Sequence, residues 1–258
     1  MKTIDITVAK RKYSFTAPER WEEVRQDQFI AYCKTQRARY HVEPLVLAAM
    51  LDMPDNVAVY LMPADWYAIG KEFEWLLDVQ SLDVNIIDKI DIANVGECLA
   101  PDADFSNVTW EEFMFCDHFV ENQSWATCMA VLFRPEKKDW DGESERRIPY
   151  TKQGTERRLP GFMALGEDVQ NAFGVQYTVM RKRMTDKYPR LFVDAGDDEE
   201  ENGKKTKRRK RHSWLSTIRE MMSEHFWEEE KFLRLPVNSV LFQMNKAIID
   251  NEKLNKKK

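Results

Sequence analysis

The nearest approach to a metal-binding group in this sequence is a set of two cysteines and one histidine. Cys116, His118 and Cys128 lie within 13 positions, and no Cys-x-x-Cys pair occurs anywhere in the chain. On one helix, Cys116 and His118 would point roughly 200° apart, because each residue turns the helix by about 100°. They cannot readily share a metal ion. We therefore predict no metal site and interpret the cysteines as buried thiols.

Residues that could perform acid–base or nucleophilic chemistry are also scattered. His41 and His225 could each act as a base, but no local motif places a serine or cysteine nucleophile beside them. The carboxylate pair Glu111-Glu112 is most simply interpreted as helix-start acids, which the helix dipole favours. Neither the dinucleotide-binding nor the P-loop glycine pattern occurs. We predict a non-enzymatic protein without a cofactor.

The charge of the chain reverses abruptly near its C-terminal end, where an acidic block over 194–201 is followed by a basic block over 204–211. This segment contains few apolar residues, and it can bury too little surface to offset the entropy that is lost when a segment is ordered. We therefore predict a disordered linker over 194–212. The basic half could bind nucleic-acid phosphates, act as a localisation signal or pair with the acidic half, which is the reading we favour. The candidate polyanion-binding residues are Lys204, Lys205, Lys207, Arg208, Arg209, Lys210 and Arg211.

Composition narrows the class of protein. A chain of 258 residues with 43% hydrophobic and 12% aromatic residues can form a real core. Its formal charge of -5 argues against general affinity for polyanions, so any nucleic-acid contact must be local. The mainly apolar stretch over 125–133 is shorter than the roughly 20 residues of a membrane-spanning helix. Four widely spaced cysteines and no secretory signal predict a cytoplasmic protein without membrane contact.

Hydrophobic periodicity predicts a mainly α fold with a helical body. Alternation over 4–8 and 13–15 predicts a small N-terminal β-hairpin, which could be the only sheet. A helix extends through about Arg39, and 81–101 lacks a clean period and could hold a short strand or a loop. Two further helices are predicted to open at Pro44 and Pro54 and to run over 44–51 and 54–61, and Pro63 lies just ahead of a third that runs to Asp78.

The middle of the chain predicts a helical hairpin followed by a charged loop. Thr109-Trp110-Glu111-Glu112 has the form of a capping box, so a helix begins there. Ser124 could cap a second helix that runs through Phe133. The charged stretch 136–160 contains glycines and prolines and predicts a long surface loop, which is a candidate contact site. One long helix is predicted over 161–184.

A C-terminal helix pair is predicted after the charged linker, with Ser213 capping the first helix and Pro236 preceding the second. Methionine and aromatic side chains suit adaptable binding of a protein partner, although core packing explains them as well. The candidate partner-binding residues are Trp214, Met221, Met222, Phe226 and Trp227. The predicted organisation is an N-terminal unit over 1–100, a central helical region over 101–193, the linker over 194–212 and C-terminal helices over 213–258.

Three motifs of the central region occur in a set order. The first is the start of a capped helix over Val108 to Phe113, followed by Asp117 and Phe119. The second is the end of another helix over Ala130 to Pro135, which closes in the motif aromatic-Arg-Pro. The third is a charged loop that leads to a helix from Phe162. This order resembles the phage tail assembly chaperones of tailed phages and prophages of gut Bacteroides. The resemblance covers about 106–184, with a looser similarity over 214–249.

The resemblance implies a phage morphogenesis protein that binds the tape-measure protein and keeps its hydrophobic helices soluble until the tail tube polymerises around it. Families of this kind often make a longer form by ribosomal frameshifting. One alternative is a structural virion or connector protein that self-associates through the charged loop and the C-terminal helices. Another is a nucleic-acid-binding accessory factor that acts through 204–211. A cytoplasmic location follows from the chaperone role, and a location in the virion from the structural role.

Overall fold

A computed structural model of the chain describes residues 1–8, 10–120, 122, 124–192 and 229–255. The fold is mainly α, with a small N-terminal β-hairpin and a C-terminal helix pair, and this confirms the predicted fold class. The predicted linker over 194–212 and the predicted helix from Ser213 lie outside the described residues.

The N-terminal hairpin pairs β1 (Lys2–Val8) with β2 (Arg11–Ala17) in antiparallel register. Ile4 lies opposite Phe15 and Ile6 opposite Tyr13, so that alternate residues place the apolar side chains on one face. That face packs against the core, and the polar residues between them are exposed. The predicted hairpin is confirmed and is longer than predicted.

Short helices follow the hairpin, with bounds α1 (Gln26–Thr35), α2 (Pro44–Met50), α3 (Asp55–Ala58) and α4 (Pro63–Lys71). Proline occupies the first position of α2 and α4 and the N-cap of α3, as the sequence predicted. Three turns of 3-10 helix also occur, at Trp21–Glu23, Glu74–Leu77 and Val79–Ser81.

Helices α3 and α4 are shorter than the predicted 54–61 and 63–78. Pro63 disfavours helical backbone at the preceding residue, and Met62 is extended, with φ -80° and ψ 159°. Helix α4 ends at Lys71 and is followed by the 3-10 turn Glu74–Leu77. Phe73 and Leu76 lie in the core there, with no exposed surface. Apolar residues of the predicted helix over 63–78 therefore reach the core from two elements.

The expectation that the hairpin is the only sheet is wrong. A second antiparallel sheet has the order β3 (Lys89–Ile92), β4 (Gly96–Leu99) and β5 (Arg134–Pro135). Left-handed backbone at Asn94 and Gly96, with φ 65° and 91°, turns the chain between β3 and β4. The pairing of β4 with β5 joins segments far apart in the chain, which local periodicity does not reveal.

Helices α5 (Trp110–Val120) and α6 (Trp125–Leu132) pack together as the predicted helical hairpin. The capping box is confirmed, because the Thr109 N–H donates to Glu112 Oε2 at 2.9 Å and the Glu112 N–H donates to Thr109 Oγ1 at 3.3 Å. Ser124 occupies the N-cap of α6 but makes no side-chain capping bond. Its ψ of 65° departs from the extended geometry that capping uses, so that part of the prediction is wrong.

Helices α7 (Lys152–Met163) and α8 (Glu167–Asp186) correct two predictions. The charged loop predicted over 136–160 ends at Thr151, whose hydroxyl accepts a hydrogen bond from the Gly154 N–H at 3.0 Å and caps α7. The single helix predicted over 161–184 is two helices, because Gly166 between them is extended, with ψ 146°. Phe162 of α7 and Phe173 of α8 both lie within 6.0 Å of the Phe133 ring, measured between centroids.

The last two helices are α9 (Glu229–Leu233) and α10 (Val237–Asn255), and the predicted start after Pro236 is confirmed. The Trp110 N–H donates to the Leu235 carbonyl at 2.8 Å, and the Val237 N–H donates to the Val108 carbonyl at 2.9 Å. These bonds attach the α9–α10 junction to the start of α5.

The N-terminal and central parts of the chain share one core. Gln176 of α8 is buried, and its Oε1 accepts hydrogen bonds from the backbone N–H groups of Ile86 and Ile87, both at 2.9 Å. Helix α1 packs along α8. The predicted boundary near residue 100 stays a prediction. Of the helices in the described ranges, none is long and apolar enough to cross a membrane.

Substitution by alanine at two helix glycines, Gly174 and Gly70, should change stability in opposite directions. A Cβ atom on Gly174 would lie 2.5 Å from Trp125 Cε2, which is closer than real contacts, whereas one on Gly70 would lie 3.7 Å from Leu47 Cδ1. We expect Gly174→Ala to lower the free energy of unfolding by about 1–3 kcal/mol through overpacking. Gly70→Ala should raise it by up to about 1 kcal/mol through helix propensity. Urea unfolding of both variants checks this, and an equal effect of the two would contradict the packing of α8 on α6.

Candidate functional site

The charged stretch after β5 forms a loop over 136–151 that folds back on itself. The Lys137 N–H donates to the Arg146 carbonyl at 2.9 Å, and the Ile148 N–H donates to the Pro135 carbonyl at 2.9 Å. Glu136 pairs with Arg147 as an isolated β-bridge. The loop is therefore an ordered extension of the second sheet, and we call it the charged loop.

The tip of the charged loop is held by Asp141. Its Oδ1 accepts hydrogen bonds from the N–H groups of Ser144 and Glu143 and from the Ser144 hydroxyl, at 2.8 to 3.0 Å. These bonds lower the pKa of Asp141 to about 2. Trp140 donates its indole N–H to the Ser144 carbonyl at 2.8 Å, and the Arg146 guanidinium lies 5.3 Å from the centre of its ring.

The base of the charged loop is held by Arg147, whose side chain is only 1% exposed. Its Nη1 donates to the Leu132 carbonyl at 2.7 Å, and its Nη2 donates to the Asn107 carbonyl at 2.8 Å. Glu145 balances the charge, because its two oxygens accept from Arg147 Nε at 2.8 Å and Nη2 at 3.2 Å. One buried guanidinium thus joins the loop to α6 and to the segment before α5.

A second buried guanidinium belongs to Arg134, in the aromatic-Arg-Pro motif. Its Nη2 lies 3.1 Å from Glu112 Oε1, and the two side chains are 3% and 0% exposed. Its Nη1 donates to the Ile148 carbonyl at 2.8 Å. Burial lowers the pKa of Arg134 to about 10, and the Glu112 carboxylate opposes that effect. Glu112 therefore caps α5 with one oxygen and neutralises Arg134 with the other.

The third buried guanidinium is that of Arg158 in α7, which donates to the Ala130 carbonyl from Nε at 3.1 Å and from Nη2 at 2.8 Å. Ala130 and Leu132 lie in the last turn of α6, where carbonyl groups lack partners within the helix. Residues 128–133 are almost wholly buried, so water cannot supply those partners. Cationic donors also suit the negative end of the helix dipole.

The sequence interpretation missed Arg147 and Arg158, because both lie in the stretch that predicted a solvated loop. Each is one of two adjacent arginines, and its neighbour, Arg146 or Arg157, is exposed. Helix α6, which precedes both arginines, is the sequence feature that could have indicated their burial. It is apolar up to its last turn, so its final carbonyl groups need hydrogen-bond donors from elsewhere in the protein.

A groove of about 1510 Å³ lies between the charged loop, the start of α5 and the α9–α10 junction. Trp140, Tyr150, Val108, Leu233 and Pro236 supply its apolar surface. Acidic and basic side chains also line it in nearly equal number, and several of them are paired with one another. The pairs include Glu230 with Arg234 at 2.5 Å and Glu111 with Lys152 at 4.0 Å. We take this groove as the candidate functional site.

The structure describes none of the residues that the sequence predicted as partner-binding or polyanion-binding sites. The partner-binding candidates Trp214, Met221, Met222, Phe226 and Trp227 lie outside the described residues, as do the polyanion-binding candidates Lys204, Lys205, Lys207, Arg208, Arg209, Lys210 and Arg211. The charged loop, predicted as a contact site, does line the groove.

The thiols of Cys116 and Cys128 are free and buried, as predicted, and each lies against the backbone of the other helix. Cys116 Sγ is 3.9 Å from the Cys128 carbonyl oxygen, and Cys128 Sγ is 3.7 Å from that of Cys116. Burial raises the pKa of Cys116 well above its ordinary value. Both thiols serve the packing of α5 on α6.

The fold and the groove define a mainly α protein with a preformed, mixed-charge groove. In comparisons with known proteins, no family model, no curated protein and no solved structure matches the chain.

The buried pair of Glu112 and Arg134 predicts strong coupling in a double-mutant cycle. Glu112→Gln keeps an oxygen for the capping box but leaves the Arg134 cation without a counter-ion, so we expect a loss of about 3–5 kcal/mol in the free energy of unfolding. Adding Arg134→Met should recover a large part of that loss. Chemical denaturation of the four proteins measures the coupling.

The control is the exposed pair of Asp5 and Lys12, whose side chains are 47% and 66% exposed. Its cycle, with Asp5→Asn and Lys12→Met, should give a coupling that is small beside that of the buried pair, because water screens exposed charges. Purely additive losses for Glu112 and Arg134 would contradict the buried ion pair.

Proposed function

We propose that the protein is a non-enzymatic assembly factor that holds a segment of another polypeptide in the groove beside the charged loop. The observation that carries this proposal is the size of the groove. Its volume of about 1510 Å³ exceeds the roughly 300–1,000 Å³ that is usual for small-molecule sites. A peptide segment is the simplest occupant of that volume.

The walls of the groove support a protein occupant over a polyanion. Basic groups on the walls are matched by acidic ones, so that a nucleic acid would meet repulsion as well as attraction. Trp140 and Tyr150 supply aromatic surface to the groove, and aromatic side chains are enriched in protein interfaces. The bonds of Asp141 and Arg147 hold these walls in place before binding, which limits the entropy lost on association.

The particular role that we propose is that of a tail assembly chaperone, which binds a tape-measure protein before the tail tube forms. The support is the resemblance over 106–184, because Arg134 and the charged loop belong to it and line the groove, and Glu112, which also belongs to it, pairs with Arg134. Apolar surface beside balanced charge suits the exposed helices of a long partner, since such helices combine apolar and charged faces. A structural virion protein remains the alternative.

Co-expression tests the proposal. The full chain should be produced together with a tape-measure protein, and the soluble fraction of that protein measured with and without the chain. We expect a several-fold rise in the soluble fraction and co-purification of the two proteins. Trp140→Ala combined with Lys152→Ala should abolish most of the rise, because both side chains line the groove and neither is in the core.

The matched control combines Tyr40→Ala with Lys89→Ala, an exposed aromatic and an exposed lysine that do not line the groove. This control should behave as the unchanged protein. The proposal fails if the two double variants have equal effects or if the partner stays insoluble. It also fails if purified particles contain the chain at high copy number, and that result would favour the structural role.

A further inference from the structure

A second surface of the molecule, separate from the groove, exposes apolar side chains over 59–68. Val59, Tyr60, Met62 and Tyr67 are 73%, 66%, 65% and 67% exposed. Asp65 is the one charged residue in this stretch, whereas a merely solvated surface would carry more. We call this stretch the α3–α4 surface.

The α3–α4 surface is fixed to the body from its other side. Val57, Leu61 and Ile69 are buried, and Ala58 and Trp66 are partly buried against the core, so the stretch is anchored from one side. The fold thus presents this surface on a fixed support rather than on a loose segment.

The segment that carries this surface is strongly acidic. Between residues 43 and 78 the chain carries seven acidic side chains and one basic side chain, Lys71. Arg25 and Lys2 form ion pairs with two of the seven, Asp52 and Glu72. Four others, Glu43, Asp55, Glu74 and Asp78, have no cationic partner within the described residues.

Aromatic rings on this surface also attract cations. The Lys71 ammonium lies 4.9 Å from the centre of the Tyr67 ring. Tyr60 exposes its ring in the same stretch, and no cation stacks on it in the described part of the chain. A partner that combines apolar groups with lysine or arginine would satisfy both features.

We propose that the α3–α4 surface is a docking site for a basic amphipathic helix of a partner protein, with the apolar face of that helix on Tyr60, Met62 and Tyr67. The acidic side chains around the surface attract its lysines and arginines. This interaction is independent of the groove, so the chain can hold two segments at once.

Peptide binding to the full-length protein tests this proposal. The probe is a fluorescein-labelled helical peptide of leucine and lysine, and its counterpart has glutamate in place of lysine; fluorescence anisotropy gives Kd for each. We expect the lysine peptide to bind at least about tenfold more tightly, and the difference to shrink at high salt because exposed charges are screened. Equal binding of the two peptides would overturn the proposal.

Tyr60→Gln combined with Tyr67→Gln should weaken binding of the lysine peptide at least tenfold. The matched control combines Tyr40→Gln with Leu254→Gln, at side chains 93% and 62% exposed, and should leave Kd unchanged. Thermal unfolding checks that each variant stays folded, and Trp140→Ala should not affect this binding. The proposal is overturned if both double variants bind alike. It is also overturned if sedimentation shows a dimer that Tyr60→Gln with Tyr67→Gln dissociates, because a second copy would then be the occupant.

Discussion

The buried carboxyl end of α6 is the constraint on which the rest of the central region depends. Its last turn is enclosed by protein, so the carbonyl groups of Ala130 and Leu132 must find donors that water cannot supply. Arg158 and Arg147 supply them, each from a different element. Arg134, two residues beyond the helix, is buried with them, and its charge is balanced by Glu112. Because the donors come from the charged loop and α7, satisfying one helix end fixes the positions of two other elements.

The same contacts connect folding with the proposed function. A loop as charged as 136–151 would by itself remain solvated, but Arg147 ties its base to α6 and to Asn107, and Asp141 closes its tip. One wall of the groove is therefore held by the bonds that complete the core. The opposite wall is the α9–α10 junction, which the backbone of Trp110 binds through Leu235. A partner would meet a surface that is already formed, which reduces the entropy lost on binding.

The sequence predicted the features that depend on neighbouring residues. The capping box at Thr109, the helix starts at prolines and the alternation of the hairpin are all local, and all are present. Features that depend on distant residues were missed. Pairing of β4 with Arg134 crosses more than thirty residues, as its register shows. Arg146 and Arg147 are identical in type and adjacent in sequence, and only the fold decides that the second is buried. The groove combines such distant segments, so local patterns indicated one wall of it and not its shape.

The claim that buried guanidinium groups organise this site is best tested by amide hydrogen exchange in two variants, one at Arg147 and one at its neighbour Arg146. Lysine keeps the charge of arginine but cannot reach several acceptors at once, so Arg147→Lys should remove the ties of the charged loop. We predict that exchange at the Lys137 and Ile148 amides, which are bonded across the base of the loop, then rises at least tenfold. Arg146→Lys, the same change at an exposed position, should leave exchange at both amides unchanged. Equal exchange in the two variants would contradict the claim that the buried guanidinium groups organise this site.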